Sequence, residues 1–129
     1  MVGETATAIN SYQDLIVWKR SMDIAVDCYS LTKTFPKDEI YGLVSQIRRS
    51  AASVAANIAE GYGRETTGAY LHHLKIAQGS LKELETHLIL CSRVGLIEAH
   101  QLETALSTSE EIGKMLRSLV RRLQEVRSK

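Results

Sequence analysis

The sequence predicts an all-α protein built as an antiparallel, up-down four-helix bundle. Apolar residues recur at helical spacing over four long segments, which short breaks separate. Turn-forming residues are scarce, with one proline and 8 glycines among 129 residues, and this favours long helices over a turn-rich β architecture. Hydrophobic residues make up 44% of the chain, which is enough for a folded core within a single domain.

Capping and helix-breaking residues set the predicted boundaries. Ser11, with Asp14 three residues later, resembles the start of a helix, and Thr66 or Thr67 can cap the third helix. Gly95 suits the left-handed conformation that ends a helix. We therefore expect a flexible tail over residues 1–11 and a bundle over 12–129, with helices at about 12–34, 37–61, 67–94 and 98–126.

Charge and targeting features constrain the partners only loosely. The formal net charge is +1, so an anionic partner has to be bound by a local patch rather than by the field of the whole molecule. No apolar run approaches the roughly 18 residues of a membrane span, and residues 1–11 lack the pattern of a signal peptide. Cys28 and Cys91 are predicted to be buried thiols of a cytoplasmic protein rather than a disulfide.

The first predicted helix has two apolar faces. One consists of Val17, Ile24, Cys28, Leu31 and Phe35. The other, roughly 120° away around the helix axis, consists of Leu15, Trp18, Met22, Ala25 and Tyr29. An isolated bundle needs one apolar face of about 100° per helix, so we expect the other to contact a second subunit of a homo-oligomer. The alternative is a monomer with an unusually apolar surface. The predicted interface comprises Val17, Ile24, Leu31, Phe35, Ile76, Leu90 and Val94.

A polar stripe follows the second predicted helix at heptad-like spacing. It consists of Gln46, Arg49, Ser53, Asn57 and Glu60. A solvated face usually carries long charged side chains, whereas Ser and Asn lower helix propensity. We therefore interpret the stripe as a structural seam that hydrogen-bonds to another helix. Glu83 is the expected partner of an arginine, and Gly79 is the expected point of close backbone approach. A solvated face and a ligand site are the alternatives.

The fourth predicted helix is polarised in charge. Residues 98–113 contain four glutamates and no Lys or Arg, whereas residues 114–129 contain six basic residues against one glutamate. This order complements the helix dipole, and it also provides cations that could bind phosphate groups. The predicted nucleic-acid-binding residues are Lys114, Arg117, Arg121, Arg122, Arg48 and Arg64. Lys75 and Lys82 could extend such a surface.

No motif indicates catalysis or a bound cofactor. His72 and His73 are adjacent and point about 100° apart on a helix, so they cannot share a metal as residues four apart can. His87 and His100 stand alone, and no His-Glu-x-x-His or Cys-x-x-Cys spacing occurs. We therefore predict a protein that is not an enzyme and that holds no metal or cofactor.

Three segments carry a resemblance to a known bacterial family. They are DLIVWK at 14–19, FPKDEIYGLVSQIRRSAASVAANIAEGYGR at 35–64 and IAQGSLKELE at 76–85. From about Tyr12 to Leu123, the chain resembles the four-helix-bundle proteins encoded by intervening sequences inside large-subunit rRNA genes. The resemblance implies a bundle that assembles into a ring, as a homopentamer. It also implies distant kinship with the accessory variability proteins of diversity-generating retroelements, which bind nucleic acid and a reverse transcriptase. It therefore implies an adaptor that binds RNA or a nucleic-acid enzyme; a scaffold that contacts only protein is the alternative.

Overall fold

The structure is a computed structural model that describes residues 8–128. Within that range the chain forms four α-helices and no strand. These are α1 (Ile16–Thr32), α2 (Ser45–Tyr62), α3 (Thr67–Arg93) and α4 (Ala99–Ser128). Consecutive helices pack side by side, and α4 closes the bundle against α1. The predicted up-down four-helix bundle is therefore confirmed.

One core runs along the centre of the bundle and receives side chains from all four helices. Its fully enclosed members include Ile24, Ile47, Ile58, Leu74, Leu84, Leu88, Ile112 and Leu116. Cys28 and Cys91 also lie in this core as free thiols, as the sequence predicts. Burial raises the pKa of Cys28 to about 12 and that of Cys91 to about 11. Both therefore remain protonated at neutral pH and behave as small apolar side chains.

The start of α1 differs from the predicted boundary near residue 12. Residues Tyr12–Asp14 form a 3₁₀ turn, and Leu15 is extended (φ −73°, ψ 125°), so the α-helix begins at Ile16. The predicted cap is present: the backbone N–H of Ser11 donates to Asp14 Oδ2 at 3.2 Å. The side chain of Leu15 is buried in the core. Of the predicted tail, residues 1–7 lie outside the described residues, and Ile9 packs against the core.

The segment before α2 is also less regular than predicted. Lys37–Glu39 form a 3₁₀ turn, and Ile40–Val44 form a wide turn in which Gly42 leaves the helical region (φ −105°, ψ −111°). The Glu39 carboxylate accepts a hydrogen bond from the backbone N–H of Leu43 at 3.5 Å. The regular α-helix therefore begins at Ser45 rather than near residue 37.

The ends of α3 follow the predicted capping. Thr66 Oγ1 accepts a hydrogen bond from the backbone N–H of Ala69 at 3.1 Å. At the other end Gly95 has φ +83°. The backbone N–H groups of Leu96 and Gly95 donate to the carbonyl oxygens of Cys91 (2.9 Å) and Ser92 (3.2 Å). This is the Schellman arrangement, which satisfies the last carbonyls of a helix. None of the described helices combines the length and the hydropathy needed to cross a bilayer.

Candidate functional site

The predicted polar stripe of α2 faces α3 and forms cross-helix contacts with it. The guanidinium of Arg49 forms an ion pair with Glu83, the predicted acceptor. It also donates to Gln46 Oε1 from Nη2 (2.7 Å) and from Nε (3.2 Å). His87 Nε2 lies 3.5 Å from Glu83 Oε2. The hydrogen bond from Arg49 lowers the pKa of Glu83, burial opposes this effect, and His87 reinforces it.

Small polar side chains continue the seam along the two helices. Ser53 Oγ lies 2.8 Å from Ser80 Oγ across the contact. Asn57 Nδ2 donates to the carbonyl oxygen (2.9 Å) and the hydroxyl (3.1 Å) of Ser53. Asn57 Oδ1 lies 3.2 Å from His73 Nδ1 on α3. These contacts favour a structural seam over a solvated face, because most of the stripe bonds to the neighbouring helix or to its own.

Glu60 ends the seam at the junction of α2 and α3. Its carboxylate pairs with Arg64 Nη2 at 3.2 Å and lies 3.7 Å from His73 Nε2. His73 is absent from the predicted seam, although a signal for it exists, since His73, Ser80 and His87 follow one another at seven-residue spacing. No buried side-chain nitrogen or oxygen among the described residues lacks a hydrogen-bond partner. The buried polar atoms of the seam are therefore satisfied within the bundle, which fits a structural role.

The close approach of α2 to α3 occurs at Gly61 and not at Gly79, which corrects the sequence prediction. A Cβ atom on Gly61 would stand 2.8 Å from His73 Cβ and 3.0 Å from Tyr70 Cδ1. A Cβ atom on Gly79 would meet nothing within 4 Å. Gly79 lies on the outer face of α3, whereas Gly61 lies in the last turn of α2 where the chain turns into α3.

The first apolar face of α1 does not lie where the interface prediction requires it. Val17 (5% exposed) and Ile24 (1%) lie in the core, so they cannot contact another subunit. Leu31 and Phe35 are half-buried against the same core. The interface prediction is therefore corrected at Val17 and Ile24, whereas at Leu31 and Phe35 it stays a prediction. The remaining predicted interface residues are exposed and belong to α3 or follow it: Ile76, Leu90 and Val94.

The second apolar face of α1 borders an open groove against α2. Met22 is 39% exposed, and Val26, which lies next to this face on the helix, is 60% exposed. The α1 side of the groove is lined by Trp18, Met22, Val26 and Tyr29, and the α2 side by Ala52, Ala56 and Ala59. The groove is shallow on its α2 side because alanines form that wall. The groove therefore offers an open apolar surface between α1 and α2 on the outside of the bundle.

The basic residues of α4 are exposed but do not share one face. Arg122 lies on the α1 side, where it lines a groove with Met115 and Ile16. Arg117 lies on the α3 side, where it borders a groove with Lys82. Lys114, Arg117, Arg121 and Arg122 are all exposed. Only Lys114 forms an ion pair within residues 8–128, with Glu110 at 3.6 Å.

Arg48 and Arg64 do not join the α4 cations. Arg48 lies at the opposite end of the bundle, where Nε donates to Thr32 Oγ1 at 2.9 Å and the guanidinium lies 4.5 Å from the ring centroid of Tyr29. It fastens α2 to the end of α1, away from the α4 cations, and its predicted role in nucleic-acid binding stays a prediction. Arg64 lies at the same end as the C-terminus of α4, but its guanidinium is directed to Glu60.

Other basic side chains accompany the C-terminal half of α4. His72 and Lys75 of α3 line a groove with Gln124 and Arg127 of α4. Arg127 and Gln124 are missing from the predicted set because a sequence alone does not tell which residues of two helices face each other. No group of three His, Cys, Asp or Glu side chains within the described part of the chain is arranged to hold a metal ion.

The fold and its surfaces define a class: up-down four-helix bundle proteins with a polar seam between the second and third helices. Residues 13–118 match the model of the family described as 23S rRNA-intervening sequence protein, and the chain belongs to that family. It is also similar to a crystal structure from Bacteroides thetaiotaomicron, described as a protein with unknown function from the S23 ribosomal protein family. The identity is 29%, the TM-score is 0.74, and the match covers 81% of this chain and 98% of that one. A comparison with curated proteins gave no match.

Proposed function

We propose that the protein is a non-catalytic adaptor that forms a homopentameric ring and binds RNA through the C-terminal half of α4. The observation that supports the proposal is the exposure and the lack of ion pairing of Arg117, Arg121 and Arg122. All three are exposed, and none forms an ion pair with another described residue. Unpaired cations on one helix provide the phosphate contacts on which nucleic-acid affinity mainly depends. A ring multiplies this local charge, which offsets the formal net charge of only +1 per chain.

The division of the surface supports the assembly. The exposed large apolar side chains of the described residues are found mainly on α1 and α3 and in the turns between helices, and α4 contributes only Val126. Contiguous exposed apolar surface is typical of subunit contacts. We therefore assign subunit contacts to the α1–α2–α3 side and RNA binding to the α4 side.

The test is fluorescence anisotropy with a labelled, structured RNA at several salt concentrations. The wild type is compared with a variant carrying Arg117→Glu, Arg121→Glu and Arg122→Glu. We expect wild-type affinity to fall steeply with salt, and the variant to lose most of its binding at low salt. The matched control reverses the exposed cations Lys33, Lys37 and Arg93 at the opposite end of the bundle, and we expect it to bind as the wild type does.

A scaffold that contacts only protein is the second candidate, because the α1/α2 groove is apolar and open. It predicts no RNA binding by the wild type, even at low salt. Light scattering on the same samples tests the ring, since a stable monomer mass contradicts both the pentamer and the multiplication of charge. Equal losses in the triple variant and in the control variant would contradict the assignment of binding to α4.

A further inference from the structure

We infer that the outer groove between α3 and α4 binds the phosphate backbone of double-stranded RNA, independently of base sequence. The inference rests on the proposed function and names the surface and the form of nucleic acid involved. The groove is distinct from the outward stripe of α4 that the sequence indicates. It combines cations from two helices that are far apart in the chain.

The positive part of the groove lies at the end of the bundle where α4 ends. His72 and Lys75 line one wall, and Gln124 and Arg127 line the other. A second groove follows along the same helix pair, and its lining includes Lys82, Lys114 and Arg117. The two grooves together are called the α3/α4 groove. Residues 68 to 82 of α3 span about 21 Å at 1.5 Å per residue. Several phosphates of one strand fit this length, since their spacing along the axis of a DNA duplex is about 3.4 Å and A-form RNA is of the same order.

Two glycines allow arginine side chains to lie low in the groove. A Cβ atom on Gly68 would stand 3.5 Å from Arg127 Nη2, and one on Gly113 would stand 3.3 Å from Arg117 Nη1. Each guanidinium therefore lies over backbone that carries no side chain. Both arginines are also exposed to solvent, and a planar guanidinium can form bidentate contacts with phosphate oxygens.

The charges along the groove are not balanced. Lys75, Arg117 and Arg127 form no ion pair with the described residues. The lining carboxylates, Glu85 and Glu110, lie toward the other end. They are paired with Lys82 (3.1 Å) and with Lys114 (3.6 Å). The end near Arg127 is therefore the part of the groove that can accept anionic groups.

The lining favours a duplex over a single strand. Surfaces that bind single strands stack bases on aromatic rings, and the residues that line the α3/α4 groove include no Phe, Tyr or Trp. Phosphate contacts without base contacts carry no direct sequence information. A lining without aromatic rings and with phosphate contacts alone fits the sugar-phosphate backbone of a double helix. The bases of a double helix are stacked inside it and do not need aromatic side chains to stack on.

The first experiment measures anisotropy with a 20-base-pair RNA duplex across a salt series. The variant carries Lys75→Ala and Arg127→Ala, and the matched control carries Lys37→Ala and Arg93→Ala, which are exposed at the opposite end. The slope of the logarithm of the binding constant against the logarithm of the salt concentration becomes shallower by roughly 0.9 for each lost phosphate contact. The affinity at 0.1 M salt then falls by roughly eightfold per contact. We expect the groove variant to lose about 60-fold in affinity and the control to lose none.

The second experiment uses Gly79, which has open space around it and lies one helical turn from both Lys75 and Lys82. Gly79→Glu places a carboxylate beside both lysines, and Gly79→Gln is the uncharged control of equal size. Both substitutions replace a helical glycine and should leave thermal stability at least unchanged. We expect the Glu variant to bind the duplex roughly eightfold more weakly than the Gln variant.

The possible outcomes separate this inference from the proposed function. Wild-type binding that neither groove variant weakens overturns the groove and leaves RNA binding by α4 intact. Tighter binding of a single strand, or a strong preference among duplex sequences, overturns the duplex inference. A wild type that binds no RNA at low salt overturns both proposals. Light scattering on every variant establishes that losses of affinity do not come from loss of assembly.

Discussion

Gly61 is the residue at which α2 and α3 leave the least room for a side chain. In Gly61→Ala the new Cβ would stand 2.8 Å from His73 Cβ, and its neighbours are the side chain and carbonyl of Tyr70. Overpacking of this kind costs about 1–3 kcal/mol, and the gain in helix propensity offsets up to about 1 kcal/mol. We expect a net loss in the free energy of unfolding on the order of 1–2 kcal/mol, measured by urea denaturation.

The same substitution at Gly79 provides the control. This glycine is also helical but meets nothing within 4 Å, so Gly79→Ala should raise the free energy of unfolding by about 0.5–1 kcal/mol. Equal effects of the two substitutions would contradict the close approach at Gly61, because only helix propensity would then distinguish alanine from glycine.

Glu83 links stability to pH through its contact with Arg49. Because its pKa is lowered in the folded state, the contribution is present above the ordinary glutamate pKa of about 4.3 and is lost as pH falls through the lower folded value. The pair is half-exposed, with side-chain exposures of 52% and 38%, so about 0.2–1 kcal/mol is expected. Wild type should exceed Glu83→Gln in stability at pH 7, with the difference shrinking by pH 3. A difference that is the same at both pH values would contradict this role of the charge.

The sequence predicts the Arg49–Glu83 pair, but it does not predict the close approach of the helices at Gly61. The pair could be predicted because Ser and Asn at heptad-like spacing are unfavourable on a solvated helix, so the stripe had to face a neighbour, and an arginine in it required an acid. Gly61 and Gly79 carry no such difference in the sequence. Which of them marks the approach depends on where the two helix axes converge, and that is a property of three-dimensional packing.

The end of α3 is an element whose geometry depends on one residue. Gly95 has φ +83°, which costs about 1–2 kcal/mol for a residue with a side chain. Gly95→Ala should therefore lower the free energy of unfolding by about 1 kcal/mol. Gly95→Asn should lower it less, since asparagine tolerates this region better. Thermal denaturation of both variants checks that the alanine variant is less stable than the asparagine variant. An alanine variant as stable as the wild type would contradict a strained backbone at position 95.

Helix ends were predictable where a capping residue enforces them and less so where tertiary contacts override the local signal. Thr66 and Gly95 mark the ends of α3 through hydrogen bonds and dihedral angles that their own chemistry explains. The breaks at Leu15 and Gly42 interrupt segments whose periodicity continues through them. Leu15 is extended although its apolar side chain fits the helical pattern, and helical periodicity does not fix the first residue of a helix.

At the scale of the whole molecule, the two faces of α1 illustrate what a single sequence leaves open. Angular position separated them correctly, because each follows a helical period. Angular position alone does not determine which face packs inside the bundle. The sequence prediction placed Val17 and Ile24 at a subunit interface, whereas both lie in the core. The choice depends on how α2 and α4 flank α1. The surplus of apolar surface was therefore predictable, whereas its location required the three-dimensional arrangement.

The surface that remains exposed on α1 now gives a sharper test of assembly. Val26 is 60% exposed and borders the apolar α1/α2 groove, so Val26→Glu should leave the isolated bundle folded. In a ring that uses this groove, the same carboxylate would be buried without a partner, which is strongly unfavourable. We expect light scattering to shift from a pentamer mass to a monomer mass while circular dichroism keeps its helical signal. Arg121→Glu, on the opposite side of the bundle, should keep the pentamer mass. A Val26→Glu variant that keeps the pentamer mass would instead favour an interface on α3, whose exposed large apolar side chains are Ile76, Ile89 and Leu90.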